Sequence, residues 1–359
     1  MEQVAAPTLR KRDPWLDNAK GLLMILVVTG HLLAPITNYS RMAKWLYYLI
    51  NSFHMPMFLM ISGFLSRRRI LQKDNVGIIN KLVTPYLLAQ ILLYVLACFI
   101  PGGVYEIGAD YDRMSFLKPI YALWYIFAMI LYNLVCVQWQ PQKRPVLSLA
   151  VVMAMSLGIG CFRMIDFMYL SKIIGFFPYF MMGFLAGGKV VERIRKPSAR
   201  TIAAGAVILA GWGVFIYFGC IRYHWIVNSK VFLMTHRYTN MEAGDQIWYG
   251  LFARLAMLTL TPVIATAMLA VMPRVRTVLT HLGERSVYIY VLHCLFIIAY
   301  RCGGWGSYIT TPARKIGLIA AAVGISFLLA SKPVQWAFHR ILEPKADIRN
   351  LFRQDCSGK

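Results

Sequence analysis

Two basic side chains interrupt the apolar stretch AKGLLMILVVTGHLLAPI, residues 19–36. In a helix, the eleven residues from Lys20 to His31 make about three turns, so both side chains share one face about 16 Å apart. An ionisable group inside a membrane usually faces a cavity or a partner, and an imidazole there can serve as a general base. Two alternatives stay open: Lys20 extends its stem to the interface, and His31 makes one structural hydrogen bond.

A second polar group lies in NSFHMPMFLMISGF, residues 51–64. Asn51 and His54 are three residues apart and therefore share a helix face. Pro56 lacks a backbone donor, so it is expected to kink the helix and to free carbonyl groups beside His54. The pattern is typical of a lined cavity, although a packing kink beside a buried histidine would look the same.

Three consecutive arginines follow in SGFLSRRRILQK. Guanidinium groups bind phosphates in a bidentate manner, so Arg67, Arg68 and Arg69 form a candidate site for a polyphosphate ligand. A cluster of basic residues is equally common in a cytoplasmic loop, where it only marks the orientation of the protein in the membrane. Just before it, Ser62 and Gly63 are small enough to let a neighbouring helix approach closely.

The composition places these residues in a membrane. Of 359 residues, 58% are hydrophobic and 15% are charged, which excludes an ordinary soluble protein. Apolar runs of about 20 residues, the length that crosses a bilayer, predict an all-α polytopic bundle of about ten membrane-spanning helices, with a range of nine to eleven. The predicted spans lie near residues 19–37, 45–65, 82–101, 118–138, 145–162, 168–187, 202–221, 247–271, 286–300 and 316–335.

The ninth predicted span is short, which leaves an earlier start near Val278 open. We predict one integral-membrane domain over residues 1–342 and a polar cytoplasmic tail over residues 343–359. No internal repeat is evident, which weakens but does not remove the alternative of a glycolipid or small-molecule transporter. Seven scattered cysteines without a CxxC pair predict neither a disulfide framework nor a metal site.

The net charge of +23 is explained by the bias of Lys and Arg toward cytoplasmic loops and by attraction to anionic lipid. With an even number of spans, most of the 38 Lys and Arg residues fall on the side of the N-terminus. We therefore predict a multi-pass protein of the plasma (inner) membrane with both termini cytoplasmic. The lipid bilayer is the expected partner of this charge, and nucleic acid is not.

Four segments together resemble the integral-membrane acyltransferase family 3, and most of all its fucose 4-O-acetylase-related branch. They are RDPWLDNAKGLLMILVVTGHLL, FHMPMFLMISGF, LWYIFAMILY and SVYIYVLHCLF, in order over about residues 12–300. The resemblance implies an O-acetyltransferase that moves an acyl group, usually acetyl, from cytosolic acetyl-CoA as co-substrate to a carbohydrate hydroxyl. The acceptor would be an envelope polysaccharide, a glycolipid or an exported oligosaccharide.

The resemblance also assigns candidate residues. The family's pattern of a basic residue, ten residues and a histidine falls on Lys20 and His31, and that histidine is regarded as catalytic. The conserved aspartate of the family's first motif falls on Asp17. With His54 from the polar group described above, the candidate catalytic residues are His31, His54 and Asp17. The candidate acetyl-CoA-binding residues are Lys20, Ser62, Arg67, Arg68 and Arg69. Further candidates are Arg12, Trp124 and His293.

This sequence departs from the family pattern in three places. Lys20 stands where arginine is more usual, so the charge remains but the planar fork is lost. No acidic residue closely follows Trp124, and the three arginines are contiguous instead of spaced. His31 is expected to act as a general base, with a covalent acyl-histidine as the mechanistic alternative.

The sequence indicates the residues that bind the acceptor less clearly than those that bind the donor. Aromatic residues of segment 222–249 could stack on sugar rings or form an interfacial belt. They are Tyr223, Trp225, Tyr238 and Trp248. Lys172 and Arg254 either line the interior or extend to the interface, and the sequence does not separate these alternatives.

Overall fold

The computed structural model describes residues 13–106, 116–162, 169–226, 230–234, 238 and 247–343. Within these ranges the chain is helical and has no β-strand, which confirms the predicted all-α fold. Arg12 and residues 344–359 of the predicted tail lie outside the described residues. The last described helix ends at Leu342.

Seventeen α-helices occupy the described ranges. In chain order, α1 to α9 are Pro14–Leu33, Arg41–Asn51, His54–Leu71, Asn75–Ile78, Thr84–Cys98, Gly103–Glu106, Trp124–Trp139, Pro145–Gly158 and Leu170–Leu185. Helices α10 to α17 are Gly188–Arg195, Ala199–Tyr217, Lys230–Leu233, Ile247–Val271, Val278–Glu284, Ser286–Cys302, Pro312–Leu329 and Lys332–Leu342. Short 3-10 or π-helical turns extend several of them.

The predicted spans correspond in order to ten apolar elements of the described chain. Seven are long and apolar enough to cross a membrane, and α14 with α15 forms an eighth candidate that is bent by 81°. The remaining two, Pro145–Cys161 and Leu170–Leu185, are shorter apolar helices. The helical structure of the ninth predicted span therefore begins at Val278, the earlier start that the sequence left open. The chain turns sharply near Arg285 instead of continuing straight.

Helix α1 is the central element of the bundle. Asp13 caps its first turn by accepting a hydrogen bond from the Trp15 amide at 3.2 Å, and Pro14 occupies a position where no donor is needed. The helix packs against α2, α3, α14, α15 and α16. Because α1 has neighbours on most sides, 61% of an apolar 18-residue stretch in its span is buried. The corresponding share in the peripheral helix α16 is 22%.

Glycines allow two close helix crossings. At the crossing of α1 with α14, a Cβ on Gly21 would collide with the Leu279 carbonyl, and one on Gly283 with the Asp17 carbonyl. At the crossing of α3 with α9, Gly63 faces the Phe180 carbonyl in the same way. The close helix approach predicted at Gly63 is therefore confirmed.

The chain breaks between α2 and α3 at Ser52 and Phe53, not at Pro56 as the sequence suggested. Pro56 lies in the first turn of α3, where it has no N–H to offer the Ser52 carbonyl. Thr261 of α13 donates its hydroxyl to that carbonyl at 3.1 Å. Trp212 of α11 donates to the Ser52 hydroxyl at 2.7 Å, so two other helices hold the break in place.

The crossing of α1 with α14 gives a first prediction. Gly21→Ala should destabilise the protein by about 1 to 3 kcal/mol, because the added methyl group meets backbone that cannot move aside. The same change at Gly317 meets no atom within 4 Å and should be neutral or slightly stabilising. Thermal unfolding of the two variants in one detergent measures the difference, and equal midpoints would contradict the close crossing.

Candidate active site

An inner cavity of about 90 Å³ lies between α1, α2, α3, α7, α9 and α15. Its polar lining includes two predicted site residues, His31 and His54. Trp124 and Phe176 supply aromatic walls, and Phe232 of the short helix α12 closes another side. The other polar residues that line it are Tyr47, Asn51, Lys172 and Tyr290.

His31 faces this inner cavity from the last turn of α1. Its ring centroid lies 5.4 Å from that of His293 and 5.3 Å from that of Tyr121. His293 is fully buried, and its Nδ1 donates to the Ile289 carbonyl at 3.0 Å. Its Nε2 has no hydrogen-bond partner among the described residues. The structure therefore brings His293 directly behind His31.

His54 is held in one orientation by its own helix turn. Its Nδ1 lies 2.7 Å from the Ile50 carbonyl. Because a carbonyl only accepts, Nδ1 carries the hydrogen, and in the neutral ring the lone pair is on Nε2. Asn51 likewise donates its amide to the Tyr47 carbonyl at 2.7 Å. Both His54 and Asn51 line the inner cavity, as their spacing predicted, although the helix breaks between them.

Lys172 belongs to the inner cavity, which the sequence left open. Its Nζ lies 4.0 Å from the centre of the Trp124 ring, a cation–π contact. Among the described residues, no Asp or Glu lines this cavity. Arg254 lies elsewhere: it donates to the Ser156 carbonyl at 2.8 Å and packs 5.0 Å from the Tyr238 ring.

A middle cavity of about 220 Å³ adjoins the inner one, with Met55 and Tyr290 in the walls of both. Ser62 also lines it, and its hydroxyl lies 2.5 Å from that of Tyr125. Lys20 stands at the other end of the middle cavity. The predicted donor-binding residues Ser62 and Lys20 therefore line one cavity, which shares Met55 and Tyr290 with the cavity of His31.

A mouth cavity of about 340 Å³ lies beyond Lys20, between α1, α3 and α10. Lys20 pairs with Asp17 at 2.6 Å, and Arg195 pairs with Asp13 at 3.5 Å. Lys196 contacts Glu192 at 2.9 Å and holds the pKa of that carboxyl below its usual value, so it stays ionised. The three cavities form a row from the start of α1 to its last turn.

The structure separates some of the predicted site residues. Asp17 is paired with Lys20, about 21 Å along the helix axis from His31, so the two predicted catalytic residues do not meet. Arg67 donates to the Phe184 carbonyl at 2.7 Å, and Arg68 is exposed. Neither they nor Arg69 line any of the three cavities.

The aromatic residues of segment 222–249 divide into two groups. Tyr238 is buried and donates its hydroxyl to the Leu157 carbonyl at 2.6 Å, so it is a packing residue. Tyr223, Trp225 and Trp248 are exposed. Of the described residues of this segment, Phe232 and Leu233 reach the inner cavity.

Comparison with known proteins assigns the family. A family profile described as an acyltransferase domain matches residues 13–331. The chain belongs to acyltransferase family 3. It is similar to the nodulation protein NolL of Sinorhizobium fredii, with 24% identity over 90% of this chain and 88% of that protein.

Two further relatives cover less of this acyltransferase. NolL of Mesorhizobium japonicum is 27% identical over 62% of this chain and 63% of its own. The inner membrane protein YcfT of Escherichia coli is 22% identical over 54% of this chain and 61% of its own. No solved structure matches.

Asn18 holds α1 in place beside the candidate site, and no sequence motif singled it out. Its amide nitrogen donates to the carbonyls of Pro273 and Val275, each at 2.9 Å. Its oxygen accepts from the hydroxyls of Thr277 at 2.8 Å and Thr280 at 2.6 Å. One buried side chain thereby ties the connection between α13 and α14 to α1. The signal available in the sequence was the polar side chain of Asn18, which lies between Asp17 and the apolar run.

Asn18→Ala should destabilise the acyltransferase by about 1 to 3 kcal/mol for buried groups left without partners. Thr266→Ala is the matched control, because Thr266 is exposed and, in the described part of the chain, its hydroxyl bonds to the Pro262 carbonyl of its own helix. Thermal unfolding in detergent compares the two variants. A fall in midpoint no larger for Asn18→Ala than for Thr266→Ala would show that the four contacts do not hold the fold.

Proposed function

We propose that this acyltransferase moves an acetyl group from cytosolic acetyl-CoA to a hydroxyl of a cell-envelope or exported carbohydrate, with His31 as the general base. The observation that carries the proposal is the row of three cavities between Lys20 and His31. One end of this row holds charged side chains and the other holds a histidine beside aromatic walls. A long donor with a charged head and a reactive tip matches that order.

The donor would enter at the mouth cavity. Its phosphates would lie beside Lys20 and Arg195, since an ammonium has three donors and Lys20 can contact a phosphate while it keeps Asp17. The slim pantetheine arm would occupy the middle cavity past Ser62. From Lys20 to His31 is about 16 Å along the axis, which this arm can span. The bias of Lys and Arg supports a cytoplasmic position for the mouth.

The chemistry would take place in the inner cavity. His31 accepts the proton of the acceptor hydroxyl while that oxygen attacks the thioester carbonyl carbon. The resulting tetrahedral oxyanion collapses, the carbon–sulfur bond breaks, and the leaving thiolate takes the proton from the imidazolium. The products are the acetyl ester and free CoA, and His31 returns to its neutral form.

Lys172 would stabilise the oxyanion. Its amino group lines the inner cavity, where no described residue supplies a carboxylate, and in its protonated form it would favour a developing negative oxygen. The Nε2 lone pair of His54 gives a second acceptor in the same cavity, suited to orient the acceptor hydroxyl. His293 packs against His31 and would hold its ring in position.

Replacement of the base tests the proposal. His31→Asn should lower transfer of labelled acetyl from acetyl-CoA into envelope carbohydrate by about 10² to 10⁴-fold, the usual contribution of a positioned base. His224→Asn changes an exposed histidine outside the three cavities and should keep full activity. Membranes with matched amounts of each variant provide the assay. Equal transfer by both would remove His31 from the reaction.

Lys172→Met should lower kcat by about 10² to 10³-fold, as loss of one oxyanion donor does, with little change in KM for acetyl-CoA. Lys172→Arg should recover part of the activity because it restores the charge. Lys73→Met, at an exposed lysine, is the control. Initial rates at varied acetyl-CoA separate kcat from KM, and a change in KM alone would place Lys172 in donor binding instead.

A further inference from the structure

A fourth cavity lies at the opposite end of α1 from the mouth cavity. This outer cavity has a volume of about 420 Å³ and is open to the surroundings. Its walls include Pro35 and Tyr39, which follow α1, and Glu106, Tyr300 and Arg301. None of the residues discussed for the donor or for acyl transfer lines it.

Polar groups with unused hydrogen-bonding capacity face the outer cavity. The Tyr300 hydroxyl is buried and has no partner among the described residues. Arg301 and Glu106 form an ion pair at 2.9 Å, so one guanidinium and one carboxylate are presented together without net charge. Pairs of this kind bind neighbouring hydroxyl groups, because the guanidinium donates hydrogen bonds and the carboxylate accepts them.

Tyr121 contacts both His31 and Arg301, which lines the outer cavity. Its ring lies 5.3 Å from the His31 ring on one side and 5.7 Å from the Arg301 guanidinium on the other. Its hydroxyl is buried without a partner in the described part of the chain. Its φ is +49°, which non-glycine residues rarely adopt and which persists when the surroundings impose it.

We propose that the outer cavity binds the acceptor as a neutral, hydroxyl-rich carbohydrate, and that Tyr121 is the gate through which one hydroxyl reaches His31. The identity of the ligand rests on the proposed function. The balanced charge of Arg301 and Glu106 favours a neutral sugar over an anionic one. Donor and acceptor then approach His31 from opposite ends of α1, and neither has to pass the other.

Tyr300→Phe tests the binding site with little risk to the fold, because it removes only a hydroxyl that has no hydrogen-bond partner among the described residues. Initial rates are measured with labelled acetyl-CoA and the neutral oligosaccharide fraction released from the host envelope. We expect KM for this acceptor to rise about 3- to 10-fold, the loss of one hydrogen bond, with KM for acetyl-CoA unchanged. Tyr308→Phe, on an exposed tyrosine of the same segment, should leave both constants unchanged. An unaltered acceptor KM in Tyr300→Phe would overturn the proposal.

A second measurement does not depend on catalysis. Ser307 lines the outer cavity and is exposed, so Ser307→Cys provides a thiol for a maleimide reagent, with labelling read from that peptide by mass spectrometry. The neutral oligosaccharide fraction should slow labelling, whereas acetyl-CoA and the anionic fraction should not. No protection by the neutral fraction would overturn the acceptor site. Protection without acetyl transfer by the unaltered protein would support the site and reject the proposed function.

Discussion

The contact between α1 and α14 is the constraint on which the rest of the site depends. Gly21 and Gly283 let the two backbones touch, and Asn18 of α1 makes three hydrogen bonds to the preceding connection and a fourth to Thr280 of α14. The chain then turns by 81° into α15, which carries Tyr290 and His293. Their positions beside α1 follow from where α14 is held. A shift of α14 would therefore move the wall of two cavities and the histidine that packs against His31.

Charge is distributed unevenly along α1. The mouth cavity holds acidic and basic side chains in close pairs, which can be exchanged for contacts with a charged ligand. The inner cavity contains two histidines and Lys172, and no described carboxylate. Charged groups are strongly attracted or repelled in an enclosed space, because water screens them little there. This arrangement favours the build-up of negative charge at one end of the row, where the proposed acyl transfer would generate an oxyanion.

The backbone is irregular where these cavities meet. Ser52 and Phe53 break the helix that carries Asn51 and His54, and α11 and α13 satisfy the groups that the break exposes. Tyr121, the first residue of the 3-10 turn that leads to Trp124, has a positive φ. Local rules predict smooth helices in both places. Departures from such rules are common at functional sites, where surrounding contacts maintain a conformation that the local sequence does not favour.

The sequence by itself determined the all-α fold, the approximate places of the spans and the candidacy of His31, His54 and His293. Those features depend on apolar length, helical period and short motifs, which are local properties of the chain. Only the tertiary structure decided that Lys172 lines the same cavity as His31 and His54. It also decided that Asp17 pairs with Lys20 instead of contacting His31, and that the three arginines lie away from the cavities. Lys172 is more than one hundred residues from His31 along the chain, and no period or motif relates them. Their meeting results from how helices pack, which depends on contacts between side chains that are distant in sequence.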